Sequence, residues 1–146
     1  MKNESYAKYP PCNERDEDFG MYITTCGYSK VHPGTKYPPR EHPSSYMFSW
    51  ENGRVLQDYQ FIYITRGEGL FESKSSSLRR VTAGSTIIVF PDEWHRYKPI
   101  DSTGWNEYWI GFKGATALMM EKKHFIKRSN RLRKESQRLD CVIIGK

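Results

Sequence analysis

Histidine and cysteine are scarce in this chain of 146 residues, at four and three. Cys12, Cys26 and Cys141 lie far apart, odd in number and without CxxC spacing. That argues against a disulfide frame or a thiolate zinc site and for free thiols in a reducing compartment. No apolar run approaches the roughly 18 residues of a membrane span. The opening MKNESYAKYPPCNERDEDF lacks the apolar core of a secretory signal. The expected setting is the cytoplasm, with no membrane partner.

The body of the chain also lacks a charge of one sign. Residues 1–120 hold 14 Lys+Arg against 14 Asp+Glu, and residues 121–146 hold nine against three, so the whole net charge of +6 sits in the tail. Such an end reads first as a solvated basic segment, and second as a phosphate contact. Helical periodicity is missing from Phe19 to Phe112.

What is present is aromatic. Phe, Trp and Tyr make up 14% of the residues, so a mean hydropathy of -0.78 does not signal disorder. Short β-type runs (FGMYITTCGY, SYMFSW, DYQFIYIT, GLFES, LRRV, STIIVF, WNEYWIGF) alternate with HPGTKYPP, ENG, RGEG, KSSS, AGS and PDE, all rich in turn formers. This predicts a mainly β domain over 19–114, an antiparallel sandwich or barrel, behind a polar arm at 1–18. The segment 115–146 is strong in helix formers. Leu118, Phe125, Ile126 and Leu132 give it a loose apolar stripe, and CVIIGK ends it with an apolar run.

Two stretches carry detail. In GSTIIVFPDEWHRY the spacing predicts an inner strand to Phe90, a turn at Pro91–Glu93, and a second strand that turns Tyr97 inward. In Trp105–Phe112 both parities carry aromatics, which predicts cover on both faces and places Glu107 between Trp105 and Trp109 on one of them. A carboxylate there is costly unless something pairs with it.

The chemical candidates narrow quickly. His95 follows a Gly–strand–Pro unit, a place that bears a ligand in metal-binding β-helices. The neighbouring strand, however, offers Gln60 where a carboxylate would be needed. His32 and His42 lie among prolines, and His124 is in the tail. Neither metal nor cofactor is expected. No GxSxG motif, Cys–His neighbour or framed carboxylate pair points to catalysis, and a His95–Glu107 dyad is less economical than a histidine hydrogen-bonded at a barrel mouth. Gly67 and Gly69 of RGEG precede no helix, so they read as hairpin glycines rather than a phosphate loop. There remains a pocket set: Arg54, Tyr97, Glu107 and Trp109 are a cation, a hydroxyl, a carboxylate and a flat apolar plate. That mixture suits a polyol or sugar. By sequence alone, Arg54 reads first as a hairpin-end arginine in water.

Taken together, GRVLQDYQFIYITRGEGLFES, GSTIIVFPDEWHRYKP and GWNEYWIGFKG resemble the N-terminal effector-sensing domain of AraC-type transcriptional regulators, above all the carbohydrate-responsive kind. The resemblance covers roughly residues 19–114. It implies a cupin-like jelly roll, or double-stranded β-helix barrel, followed by a C-terminal helical segment. It also implies a small-molecule effector inside the barrel, a sugar by preference, under a movable arm. Homodimerisation through the following helices and control of a separate helix-turn-helix domain complete the picture. Arg54, Tyr97, Glu107 and Trp109 match the family's pocket positions, and His95 matches its motif histidine; with Gln60 they form the expected ligand-binding set. By analogy, Trp109 stacks on the effector while Arg54 and Glu107 bind its hydroxyls. Only 32 residues follow Gly114, too few for a pair of helix-turn-helix units. DNA is therefore expected as a partner only through a domain absent from this chain, and the irregular tail suggests a truncated or frame-altered product. The alternative is a small cupin enzyme acting on a sugar or related polar metabolite.

Overall fold

The computed structural model describes residues 4–38 and 43–134. His42, Cys141 and the CVIIGK end lie outside them. Nine strands form the body: β1 (Glu4–Lys8), β2 (Tyr22–Val31), β3 (Arg54–Val55), β4 (Tyr59–Ser73), β5 (Ser76–Thr82), β6 (Ser85–Val89), β7 (Trp94–Pro99), β8 (Trp105–Lys113) and β9 (Leu132–Lys134). Two helices accompany them, α1 (Glu14–Phe19) and α2 (Ala115–Lys122). Pairing is antiparallel throughout, in the order β1-β2-β8-β4-β6-β9.

The fifteen-residue β4 curls this sheet into a cage. Its first half pairs with β8 and β6, its second with β5 and β7. The strand changes partners at a register shift between Ile64 and Arg66. Gly67 stands at that corner with φ +81, where a Cβ would come within 2.1 Å of the Gly104 carbonyl. Only glycine fits. RGEG is therefore a bend inside one strand, not the hairpin expected from its glycines.

Strand alternation fills the cage. Ile62, Ile64, Phe71, Val81, Ile87, Val89 and Trp105 point inward and are essentially inaccessible. A second cluster lies on the outer side, where α2 and the segment behind it bring Ala117 and Ile126 onto Tyr59, Ile88, Phe90 and Phe112. Among the described residues, these cover that end of the outer face. Further along β8, Tyr108 and Ile110 remain 43% and 39% exposed, contrary to the expectation of cover on both faces. Tyr108 is instead flanked across the strands by Tyr28, and Tyr28 by Tyr6, at ring separations of 5.9 and 6.3 Å. Cross-strand aromatic pairs stabilise a sheet without full burial.

Two further expectations are corrected. The SYMFSW run forms no strand: Ser44–Tyr46 is a 3₁₀ turn, and Ser49 makes a lone bridge to Gly53. Two of its aromatics, Tyr46 and Phe48, line the cage interior instead. Within the polar arm, β1 pairs with β2, and α1 is set by a capping box between Asn13 and Asp16. Among the described residues the tail is helical from Ala115 to Lys122. Leu132–Lys134 form β9 on the open edge of β6, because unpaired edge groups outweigh a weak helical preference.

Arg131 locks that docking. Its side chain is 1% exposed, donates to Ser75 Oγ and to the Arg128 and Ile88 carbonyls, and ion-pairs with buried Glu93. Burial draws its pKa down to about 10, so it stays charged at neutral pH. Removing one partner of such a pair strands the other. Arg131→Met is expected to cost about 3 kcal/mol or more in urea unfolding, and a loss indistinguishable from zero would show that Glu93 is not held by Arg131.

Candidate functional site

Opposite the packed part of the cage, the inward side chains turn polar. β4 contributes Gln60, β7 Tyr97, β8 Glu107 and Trp109, β2 Thr25 and β3 Arg54; all line one cavity. Each follows from strand parity. Gln60 shares its face with Ile62 and Ile64, and Glu107 and Trp109 share theirs with Trp105. Trp109 lies against β2 at Gly27, where a Cβ would meet its ring at 2.5 Å, and its indole N–H donates to Thr25 Oγ1 at 3.2 Å. A side chain at position 27 would lift the plate off the wall.

Arg54 is held from several directions. Its Nη2 donates to Tyr97 Oη at 2.6 Å, its Nη1 to the Tyr46 carbonyl at 2.7 Å and its Nε to His95 Nε2 at 3.2 Å. The Phe48 ring lies 4.5 Å from the guanidinium carbon. His95 does not line the cavity. It stands directly opposite Arg54 in the β3–β7 ladder, 1% exposed, behind the guanidinium. Because Nε2 accepts from Arg54, the proton sits on Nδ1, which donates to the Glu93 carbonyl at 3.2 Å. Burial, with Arg54 beside it, holds its pKa well below the usual histidine range. His95 is thus a neutral prop that fixes the pose of Arg54.

Glu107 is 5% exposed. Tyr37 Oη donates to its two oxygens, at 2.9 and 3.2 Å. Burial raises the carboxyl to about 7, against the opposing pull of Tyr37 and Arg54. Burial likewise lifts Tyr97 to about 12 and Tyr37 well above the usual phenol value. The interior therefore presents a fixed cation, a carboxyl poised near neutrality and neutral phenols.

Besides Thr25 of β2, four contributors escaped sequence reasoning: Tyr37, Tyr46 and Phe48 from the β2–β3 connection, and Tyr9 beyond β1. Tyr9 and Tyr37 sit in segments without periodicity, and Tyr46 and Phe48 in a run that reads as a strand. Their one visible signal was a density of aromatics among prolines. They also change the interior, for with Tyr37 and Phe48 in place only about 20 Å³ of free space is left, room for a single water. Among the described residues, no three His, Cys, Asp or Glu side chains converge as a metal site would require.

The buried carboxyl has a signed consequence. Between the ordinary value of 4.5 and about 7, folded Glu107 keeps a proton that the unfolded chain has released, so its contribution to stability falls as pH rises through that window. His95 acts oppositely below 6.5, where the unfolded chain gains a proton that the folded one refuses. Glu107→Gln isolates the first effect. Its urea-unfolding stability relative to the parent is expected to rise from pH 4.5 to 7.5 by an amount on the order of 1–3 kcal/mol. A pH-independent difference would show that the carboxyl ionises freely in the fold.

No curated protein matches the chain. Among solved structures it is similar to the protein YhaK from Escherichia coli, with 10% identity and a TM-score of 0.52, over 76% of this chain and 45% of that one. The chain thus spans less than half of that protein. The cupin domain of Schizosaccharomyces pombe Cnp3 is matched at 14% identity and a TM-score of 0.47, over 87% of this chain and 74% of that one. The E162A mutant of Bacillus subtilis oxalate decarboxylase is matched at 11% and 0.44, over 77% and 26%. No helix among the described residues is long and apolar enough to cross a membrane. The model of the AraC-like ligand binding domain matches residues 22–139, and the chain belongs to that family.

Proposed function

We propose that this chain is the effector-sensing part of an AraC-type transcriptional regulator and that its effector is a small polyhydroxylated molecule, a sugar in the first instance. The carrying observation is that Arg54, Gln60, Tyr97, Glu107 and Trp109 line one cavity. Aromatic plates take the C–H face of a pyranose, while charged groups take its hydroxyls. Hydrogen bonds to charged partners contribute about 1.5–3 kcal/mol each, so two or three suffice to discriminate among sugars. A site built to bond hydroxyls rejects analogues that lack them, because its own buried groups are then left unpaired.

In this reading the protein binds rather than transforms its ligand. It acts in the cytoplasm as a homodimer and governs DNA binding by a helix-turn-helix domain. Regulation requires that the effector bind two states of the protein unequally. The family match and the polar interior support the sensing role.

The experiment is a thermal-shift screen of mono- and disaccharides, followed by titration calorimetry on the compounds that stabilise, since a binder raises stability by RT ln(1 + [L]/Kd). Arg54→Ala is expected to weaken binding by about tenfold or more, the loss of one charged hydrogen bond, while the far-ultraviolet spectrum keeps its β signature. Unchanged affinity in a folded Arg54→Ala protein would remove Arg54 from the site. A screen without hits would remove the carbohydrate.

A further inference from the structure

The interior described above is already occupied by the chain itself. Tyr37 belongs to no strand; it lies on the connection that leaves β2 and re-enters at β3. Its side chain nevertheless reaches into the cage and hydrogen-bonds Glu107 of β8. Its ring stands edge-on to Trp105 at 6.0 Å and to Phe48 at 6.0 Å, and tilted against Tyr97 at 6.3 Å. Tyr37 and Phe48 also line a second, outer recess of about 750 Å³, bordered by Lys36, Trp50 and Lys98. The same two side chains therefore face both spaces and form the partition between them. Inside the partition there is room for one water; outside it there is room for a ligand of ordinary size.

We propose that Tyr37 is the resident occupant of the effector seat, an intramolecular stand-in whose ring and hydroxyl an effector must displace. This rests on the reading of the interior as the effector site. The contacts that Tyr37 makes then describe what replaces it: a six-membered ring carrying a hydroxyl that donates to Glu107. Evicting Tyr37 strips that donor from a buried carboxylate, a cost that an incoming hydroxyl cancels and a bare hydrocarbon does not. A pyranose and a phenol both satisfy this description, and the test separates them. Binding also carries a conformational tax, because apparent affinity is reduced by the fraction of molecules in which the seat is open.

A side chain that forms part of the wall behaves oppositely to one that fills the seat. Loss of a wall contact weakens binding, whereas loss of a resident competitor strengthens it. The probes are p-cresol, which is the tyrosine side chain as a free molecule, its hydroxyl-free counterpart toluene, and the sugar panel, all applied to the full chain.

Tyr37→Ala is expected to be less stable than the parent and to be raised several degrees by millimolar p-cresol. The parent and Tyr37→Phe stay unmoved, and toluene is at least tenfold weaker on Tyr37→Ala. If Tyr37→Ala does not fold alone, its folding upon addition of p-cresol supports the proposal, and its failure to fold with p-cresol overturns it. Equal stabilisation of all three proteins by p-cresol overturns it as well. For any sugar that binds the parent, Tyr37→Phe is expected to bind about tenfold more tightly, the worth of one hydrogen bond to a charged group, and weaker binding assigns Tyr37 to the wall. A sugar panel silent on every variant, alongside p-cresol rescue of Tyr37→Ala, keeps the displaceable occupant and points to a phenolic effector instead.

Discussion

A carboxylate inside a β-cage has to be answered, and the interior of this protein is arranged around the answer given to Glu107. Strand parity leaves it no escape. Glu107 pairs with Ser29 of β2 and Ile64 of β4, between two inward tryptophans, so its side chain enters the cage whatever else the chain does. An ion that deep is costly unless a donor meets it. The cost is divided between a proton, held up to about pH 7, and the phenol of Tyr37. The cation that could neutralise it outright, Arg54, is committed to Tyr97, His95 and the Tyr46 carbonyl. A cation and a carboxyl kept unpaired in one small space form an arrangement suited to binding. Paired with each other, they would leave a ligand little to bind.

The tie that holds Arg54 runs further than the cavity. His95 accepts from Arg54 on one ring nitrogen and donates to the Glu93 carbonyl on the other, and the Glu93 side chain is paired with Arg131. Arg131 in turn fixes the approach to β9. Neutral histidine is the right residue for the middle of this series, because it alone offers an acceptor and a donor on opposite sides of a rigid ring. A guanidinium in the binding space and one under the C-terminal segment are thus positioned through a single turn, Pro91–Glu93.

That turn was among the most legible parts of the sequence. The strand to Phe90, the break at Pro91 and the inward Tyr97 can all be read from residue types, because proline, alternation and turn formers act locally. The parity of Trp105–Phe112 was legible for the same reason, and it placed Glu107 and Trp109 on one face. RGEG misled because a glycine-rich bend inside a strand and a hairpin use the same dihedrals; only the Gly104 backbone lying against Gly67 separates them. Tyr37, Phe48 and Arg131 were illegible for a different reason. Nothing near them in sequence says that a phenol among prolines reaches a carboxylate 70 residues later, or that one arginine of a basic tail is the buried one. Such contacts are settled by what the strands leave unsatisfied.

Unsatisfied groups also set the terms on which anything enters. With about 20 Å³ free, the interior admits no organic ligand without moving its own side chains. The strand residues are held in register by the ladders of β4 and β8. Tyr37 and Phe48 are carried instead on the connection between β2 and β3, whose described part includes a 3₁₀ turn and an isolated bridge but no strand. In the proposal made above, Tyr37 is the side chain that gives way. Since Tyr37 is bonded to Glu107 itself, whatever displaces it on that reading has to offer Glu107 the same kind of hydrogen bond.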